Sequence, residues 1–232
     1  MQRMTKNSVM SGRSKQRGQS FVELMLVVLI LALMVSGVVE FGYLLNSYLK
    51  VLDGTREGAR YSNMDVAFIY DDDLLPTPGY VSIQSFYTNT AIQAMRVMSP
   101  IVLNGNRGDD IVISVFTVSG SSIVRWPLGY ANGWNLCENR VDPAVQSEAN
   151  IFLLVNWNTC TPKQSHFSDA QIQTLMDASA PASGVLLVEA YYNYPQILKL
   201  PVFVQVIPDP IPVYTYSIMP LTSAEPTPTP NP

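Results

Sequence analysis

The chain has 232 residues, 14 basic and 18 acidic, with a net charge of −4 and 47% hydrophobic residues. That length suffices for one sizeable core or two small ones. The charge is lopsided: Arg3, Lys6, Arg13, Lys15 and Arg17 give residues 1–18 a charge of +5 with no acid, leaving nine basic against 18 acidic residues beyond them. An acidic bulk argues against nucleic acid as a partner, and basic residues ahead of an apolar run are the pattern that holds that end in the cytoplasm.

Residues 1–17 are rich in Ser, Lys, Arg and Gln without apolar periodicity, and are expected to be disordered. Leu24 to Val39 then runs for sixteen residues without a charge. With Phe21 and Val22 before it and Phe41 to Leu45 after it, about twenty apolar residues at ~1.5 Å each span a bilayer of roughly 30 Å. The transmembrane part is placed at about 21–43. An apolar stripe of Leu44, Leu45, Tyr48, Leu49, Val51 and Leu52 and a polar face of Lys50, Asp53, Arg56, Glu57 and Arg60 carry the helix on. A helix from Gln19 to Ser62 would be roughly 65 Å long. Gly54 and Gly58 weaken it in water but permit close helix contact.

Asp71-Asp72-Asp73 and Pro76-Thr77-Pro78-Gly79 mark a break. The adjacent aspartates lack the alternate spacing of a calcium loop and read as a solvated turn. Ile83, Phe86, Tyr87, Ala91, Ala94, Met95 and Met98 recur at three and four, predicting an amphipathic helix over 82–99. Strands follow at 111–118 and 123–126, joined by Ser119-Gly120-Ser121, with Ile111, Ile113 and Val115 on one face. Residues 127–149 are irregular; 151–157 reads as a buried strand. Ser168-Asp169 caps a short helix to about Ala178 that presents Ile172, Leu175 and Met176. Residues 185–194 form a strand with Leu186, Val188, Ala190 and Tyr192 on one face, and 201–207 another. Residues 213–218 fit an edge, since flanking prolines exclude a central position. The tail from Glu225, with Pro226, Pro228, Pro230 and Pro232, is polyproline-like and too polar to bury.

Cys137 and Cys160 both fall beyond the apolar run, where an oxidising compartment favours a disulfide worth about 3 kcal/mol; two buried thiols are the alternative. His166 is the sole histidine and no cysteine pair has ligand spacing, so neither a zinc site nor thiol catalysis is indicated. There is no GxGxxG, GxxxxGKS or GxSxG, so no enzyme, cofactor or metal is expected.

One acid stands out. Glu23 opens the apolar run, where an unpaired carboxylate at the centre of a membrane helix would cost roughly 2.5–3.5 kcal/mol, less near the helix start. Arg17-Gly18 followed by Glu23 and an unbroken apolar run resembles a class III type IV prepilin leader, which a membrane aspartyl peptidase cuts after the glycine. The pieces Gly18-Gln19-Ser20-Phe21-Val22-Glu23, Glu40-Phe41-Gly42 and Arg56-Glu57-Gly58-Ala59-Arg60 resemble, in order and spacing, the TadE-like family of the tight-adherence (Tad) pilus. Val188 to Pro195 is similar to that family's late strand, whereas Met219-Pro220-Leu221 departs from its usual ending.

The resemblance implies cleavage between Gly18 and Gln19 by a prepilin peptidase. Glu23 would then neutralise the new α-amino group of a neighbouring subunit. Glu40, Gly42, Arg56, Gly58 and Arg60 become candidate helix contacts. Glu40 lies about 25 Å beyond Glu23, where a neighbour's Lys50 or Arg56, or plain solvation, satisfies it. The implied protein is a minor pseudopilin of the cytoplasmic membrane, N-terminus inside, whose partners are other pilins, the peptidase, the bilayer and the Tad assembly platform. Competing readings are an uncleaved membrane-anchored binding or scaffold protein, a domain secreted by cleavage near Val35-Ser36-Gly37, and an extracytoplasmic enzyme around Trp134 and His166. The expected architecture is α+β: a leader (1–18), a long helix (19–62), an extracytoplasmic domain (63–219) with a mostly antiparallel sheet and two amphipathic helices, and a proline-rich tail (220–232).

Overall fold

The computed structural model describes residues 16–62, 67–71, 79–119, 122–127, 132–139, 157–175, 184–199 and 204–221. Residues 1–15, the tail beyond Leu221 and most of 151–157 lie outside them, so the readings of a polyproline tail, a strand at 151–157 and all but the end of a disordered arm fall there; Gln16 and Arg17, read as part of that arm, are helical. The chain divides into two compact units, Met1–Tyr43 and Leu44–Pro232. The long helix, α1, runs Gln16–Ser62.

In the second unit the spacing of small residues decides how α1 packs. Val51, Gly54, Thr55, Gly58, Ala59 and Ser62 are buried while Asp53, Arg56 and Arg60 are exposed, the three-and-four alternation of a one-sided helix. β1 (Phe68–Asp71) and β2 (Gly79–Ser82) pair antiparallel across the acidic and proline-rich break. The sequence reading saw only that break, because strands of four residues are too short to show a period. Helix α2 (Gln84–Val97) follows, and Phe86, Tyr87, Ala91, Ala94, Met95 and Met98 are buried as the stripe predicts.

The sheet is built on β3 (Asp110–Ser119). β4 (Ser122–Trp126) and the short β5 (Trp134–Asn135) pair along one of its edges and β6 (Gly184–Tyr194) along the other; β7 (Ile211–Leu221) pairs outside β6. Every pairing is antiparallel. Alternation sorts the side chains. Ile111, Ile113, Val115, Leu186, Val188, Ala190 and Tyr192 face the main core with α2, Val51 and Ala59. Phe116 and Leu187 face the other way, onto Ile172 of a short helix. The class is α+β, with a long apolar helix preceding an antiparallel sheet and further helices.

β7 is an edge strand, as the prolines require; Pro212 and Pro220 are paired opposite Asn193 and Val185 at its two ends. The short helix after β5, α3, is Leu136–Asn139. The helix over Ile172, α4, is Asp169–Leu175. A reciprocal cap starts α4: the Gln171 N–H donates to Ser168 Oγ at 3.3 Å and the Ser168 N–H to Gln171 Oε1 at 2.8 Å.

Two expectations change. Leu175, predicted on the buried face of α4, is 64% exposed, because one turn beyond Ile172 the helix has passed the edge of the core. Residues 204–207, read as part of a strand, form a turn. β3 and β7 already occupy both edges of β6, so this segment cannot pair with the strand it follows. The Gln196 side chain serves its carbonyls instead, donating at 3.2 Å to both Ile207 O and Pro208 O.

Cys137 and Cys160 are joined in a disulfide. The two strands of chain it links meet at Asp110, whose carboxylate accepts the N–H groups of Ile111 (2.9 Å), Cys137 (3.1 Å) and Lys163 (2.9 Å). Burial pushes this carboxyl up to about 7, while the backbone N–H donors pull the other way.

Candidate functional site

The sequence places its candidate residues almost wholly on α1, and the structure separates them into two groups. In the first unit, every residue from Gln19 to Val35 is exposed, including Phe21 (59%), Leu29 (70%) and Met34 (65%). Burying a side chain of this size is worth about 1.5–3 kcal/mol, so a run of this length is stable only in lipid or among other helices. The segment is long and apolar enough to cross a membrane. Glu23 is exposed within it, flanked by exposed Val22 and Leu24. Gly18 and Gln19 lie within α1, near the first of its described residues. Glu40 is half-buried, and a Cβ on Gly42 would meet nothing within 4 Å.

The second group is used inside the fold. A Cβ on Gly58 would lie 3.0 Å from Ala94 Cβ and 3.2 Å from Thr90 O; one on Gly54 would lie 2.5 Å from Met98 Cγ and 2.8 Å from Ala94 O. The two glycines therefore form a small-xxx-small seam against α2 of the same chain. Hydroxyls close its far end: Ser62 Oγ donates to Gly58 O at 2.8 Å, Thr90 Oγ1 to Phe86 O at 2.7 Å, and the two oxygens contact each other. At the near end Lys50 Nζ donates to Ser99 O at 3.1 Å. Gly58, expected as a helix contact, is one, but its partner is α2. Arg56 and Arg60 stay outside, with Arg60 paired to Glu57 at 2.8 Å on the surface. The sequence held the signal for this seam, since Gly54 and Gly58 stand four apart with Thr55 and Ala59 beside them; nothing in it named α2 as the partner.

A second cluster escaped the sequence reading. On the sheet face away from the main core, Tyr191 of β6 and Tyr214 and Tyr216 of β7 gather with His166 and Phe167 around Glu189. Neighbouring ring centroids are 4.9 to 6.0 Å apart. Glu189 is fully buried and accepts the Tyr214 O–H at 2.7 Å and the backbone N–H of His166 at 2.8 Å. Burial, with Glu189 alongside, raises the Tyr191 and Tyr214 phenols above their usual range, so both stay neutral donors. Trp134, by contrast, is fully buried and stacks on Tyr87. Among the described residues no group of three His, Cys, Asp or Glu side chains is arranged to hold a metal ion.

Residues 18–60 match the model of a family described as TadE-like protein. The match begins at the glycine before Gln19 and ends at Arg60, so it takes in both the exposed apolar run and most of the seam. No curated protein matches the chain, and no solved structure does.

Proposed function

We propose that this chain is a minor pseudopilin, a non-catalytic component in the assembly of a tight-adherence pilus, trimmed after Gly18. The observation that carries the reading is the TadE-like match over residues 18–60, which coincides with a fully exposed apolar helix segment opened by a single acid. In this reading the basic arm stays in the cytoplasm, the apolar run crosses the inner membrane, and the disulfide-bearing domain stands outside. Cleavage leaves an α-amino cation on Gln19. In a bundle of such helices the Glu23 carboxylate of a neighbour pairs with it, which offsets the cost of holding either charge in a low dielectric. Other pilins and the Tad assembly platform are the partners, and adhesion or secretion by the filament is the outcome.

An uncleaved anchor is the second reading, favoured by one observation: the bond between Gly18 and Gln19 lies within helix α1 and must unwind before it is cut. The N-terminus of the membrane-extracted protein, mapped with and without prepilin peptidase, separates the two. A peptidase-dependent start at Gln19, lost in Gly18→Ala, is expected. An intact arm in both strains, or normal trimming of Gly18→Ala, overturns the cleavage; a start near residue 38 replaces it with secretion.

A further inference from the structure

The outer edge of the sheet is the feature still without a role. β7 pairs with β6 on one side and, among the described residues, with no strand on the other. One hydrogen bond fixes which of its backbone groups point outward. The Asn193 N–H of β6 donates to Asp109 Oδ1 at 2.7 Å, beside the start of β3, so Asn193 turns its polar backbone groups toward β3 and away from β7. Along an antiparallel strand, residues that bond one neighbour alternate with those that bond the other. Leu186, Val188, Ala190 and Tyr192 therefore bond β7, through their partners Met219, Ser217, Thr215 and Val213. The N–H and C=O groups of Tyr214, Tyr216 and Ile218 point outward instead, as do the carbonyls of Pro212 and Pro220. Both prolines thus stand where a missing N–H costs the β6 ladder nothing.

Open edges are ordinarily blunted by lysine or by inward charges, yet Ile211 to Leu221 holds no charged residue. Its side chains beside the free groups are exposed, Tyr216 by 46% and Ile218 by 38%. The prolines bound this free ladder and also give it a symmetry, because they stand four residues either side of Tyr216. Such a strand is complementary to itself run antiparallel. With Tyr216 opposite the Tyr216 of a second copy, Tyr214 lies opposite Ile218, and each of these pairs exchanges two hydrogen bonds. Pro212 then lies opposite Pro220, where neither brings an N–H in need of an acceptor. The whole strand is paired, and no outward N–H or C=O between the prolines lacks a partner. We propose that β7 is an interface between two copies of this chain, which join edge to edge by antiparallel β7–β7 pairing about Tyr216. Nothing in this pairing depends on the pilus reading.

Amide hydrogen exchange of the detergent-solubilised full chain tests this without any substitution. The Tyr214, Tyr216 and Ile218 amides are expected to exchange at least tenfold more slowly as the ratio of protein to detergent is raised, while the Thr215 and Ser217 amides, bonded to β6, stay protected throughout. Rates that ignore concentration overturn the proposal: fast ones show an edge that stays open, slow ones an edge already paired within the chain. Cross-linking reads the register. In the paired strands the two Tyr216 Cα atoms lie about 5.5 Å apart, within disulfide reach, and the native cysteines are already joined to each other. Under mild oxidation Tyr216→Cys should form a disulfide-linked dimer at least tenfold faster than Val206→Cys, a position 82% exposed but outside the strand. Adding Ile218→Pro, which removes an outward N–H and no bond to β6, should slow the Tyr216→Cys cross-link at least tenfold with an unchanged near-ultraviolet circular dichroism spectrum. Equal cross-linking at 216 and 206 overturns the pairing, and so does a cross-link that Ile218→Pro leaves as fast as before.

Discussion

Replacing Gly54 with alanine tests the helix seam most directly, because two effects of opposite sign compete. In a helix interior alanine is favoured over glycine by about 1 kcal/mol, which alone would stabilise. The added Cβ at position 54, however, falls 2.5 Å from Met98 Cγ and 2.8 Å from the backbone oxygen of Ala94. Met98 has rotamers to escape into, but Ala94 O belongs to α2 itself, so the helix must shift. Overpacking of this kind costs about 1–3 kcal/mol and sometimes more. The net expectation is destabilisation by up to about 2 kcal/mol, or a melting temperature lower by up to about 8 °C for a chain of this size. Gly58→Ala, with its nearest contact at 3.0 Å on the Ala94 methyl, should be near neutral. Gly42→Ala meets nothing within 4 Å and should be neutral or slightly stabilising. Thermal unfolding of the full chain in detergent, followed by near-ultraviolet circular dichroism, reads all three. If Gly54→Ala proves as stable as Gly42→Ala, the close approach of α1 and α2 is wrong.

The paired change Cys137→Ser with Cys160→Ser should cost about 3 kcal/mol, read as a lower urea midpoint, and a native protein with two alkylatable thiols would refute the bridge. Asp110 should make stability fall as pH rises: its folded-state value of about 7 lies above the unfolded 3.8, so the folded chain holds a proton that the unfolded chain releases. The loss runs from about pH 4 to 7 at no more than ~1.4 kcal/mol per unit, and Asp110→Asn should flatten it; identical pH slopes in the two proteins would refute that. Arg125 is almost fully buried, donates to Asp169 Oδ1 at 2.7 Å and Ser114 Oγ at 3.1 Å, and lies 4.6 Å over the Phe116 ring. Arg125→Met should therefore cost about 2–3 kcal/mol, whereas Asp169→Ala, at the exposed end of the pair, should cost under ~1 kcal/mol; chemical denaturation orders them.

Much of the fold was legible because burial imposes a period. The stripe from Ile83 to Met98 and the alternation through Ile111, Ile113, Val115 and Leu186 to Tyr192 each name a face, and each face is the one buried. Periodicity fails where it has no room or no partner. β1 and β2 are four residues each, too short to alternate convincingly. Residues 204–207 belong to an apolar run, yet they turn, and the Gln196 side chain rather than a strand takes the Ile207 carbonyl. Cys137 and Cys160 were readable as a pair from compartment chemistry, but Asp110, which gathers the backbone of both cysteine loops, was not. A lone aspartate before a strand carries no sign of which N–H groups will converge on it. The tyrosine cluster was hidden for a related reason: Tyr191, Tyr214 and Tyr216 become neighbours only through the β6–β7 register, with Tyr191 opposite Tyr214.

The division of α1 bears on what the matched stretch encodes. If residues 18–60 served only to pack helices between subunits, small residues at 54, 55, 58 and 59 would be expected to face outward. They face inward, against Thr90, Ala94 and Met98 of the same chain. A glycine seam buried in this way cannot also join a neighbour. The outward surface of that half is left to Tyr48, Leu49, Asp53, Arg56 and Arg60, a mixed face suited to contacts between subunits in water. The half that needs a nonpolar partner is the run from Phe21 to Val39, where Glu23 is the only charge. One stretch of sequence therefore carries two physical characters: its first half is an exposed apolar run long enough to cross a membrane, and its second half packs against α2 of the folded domain.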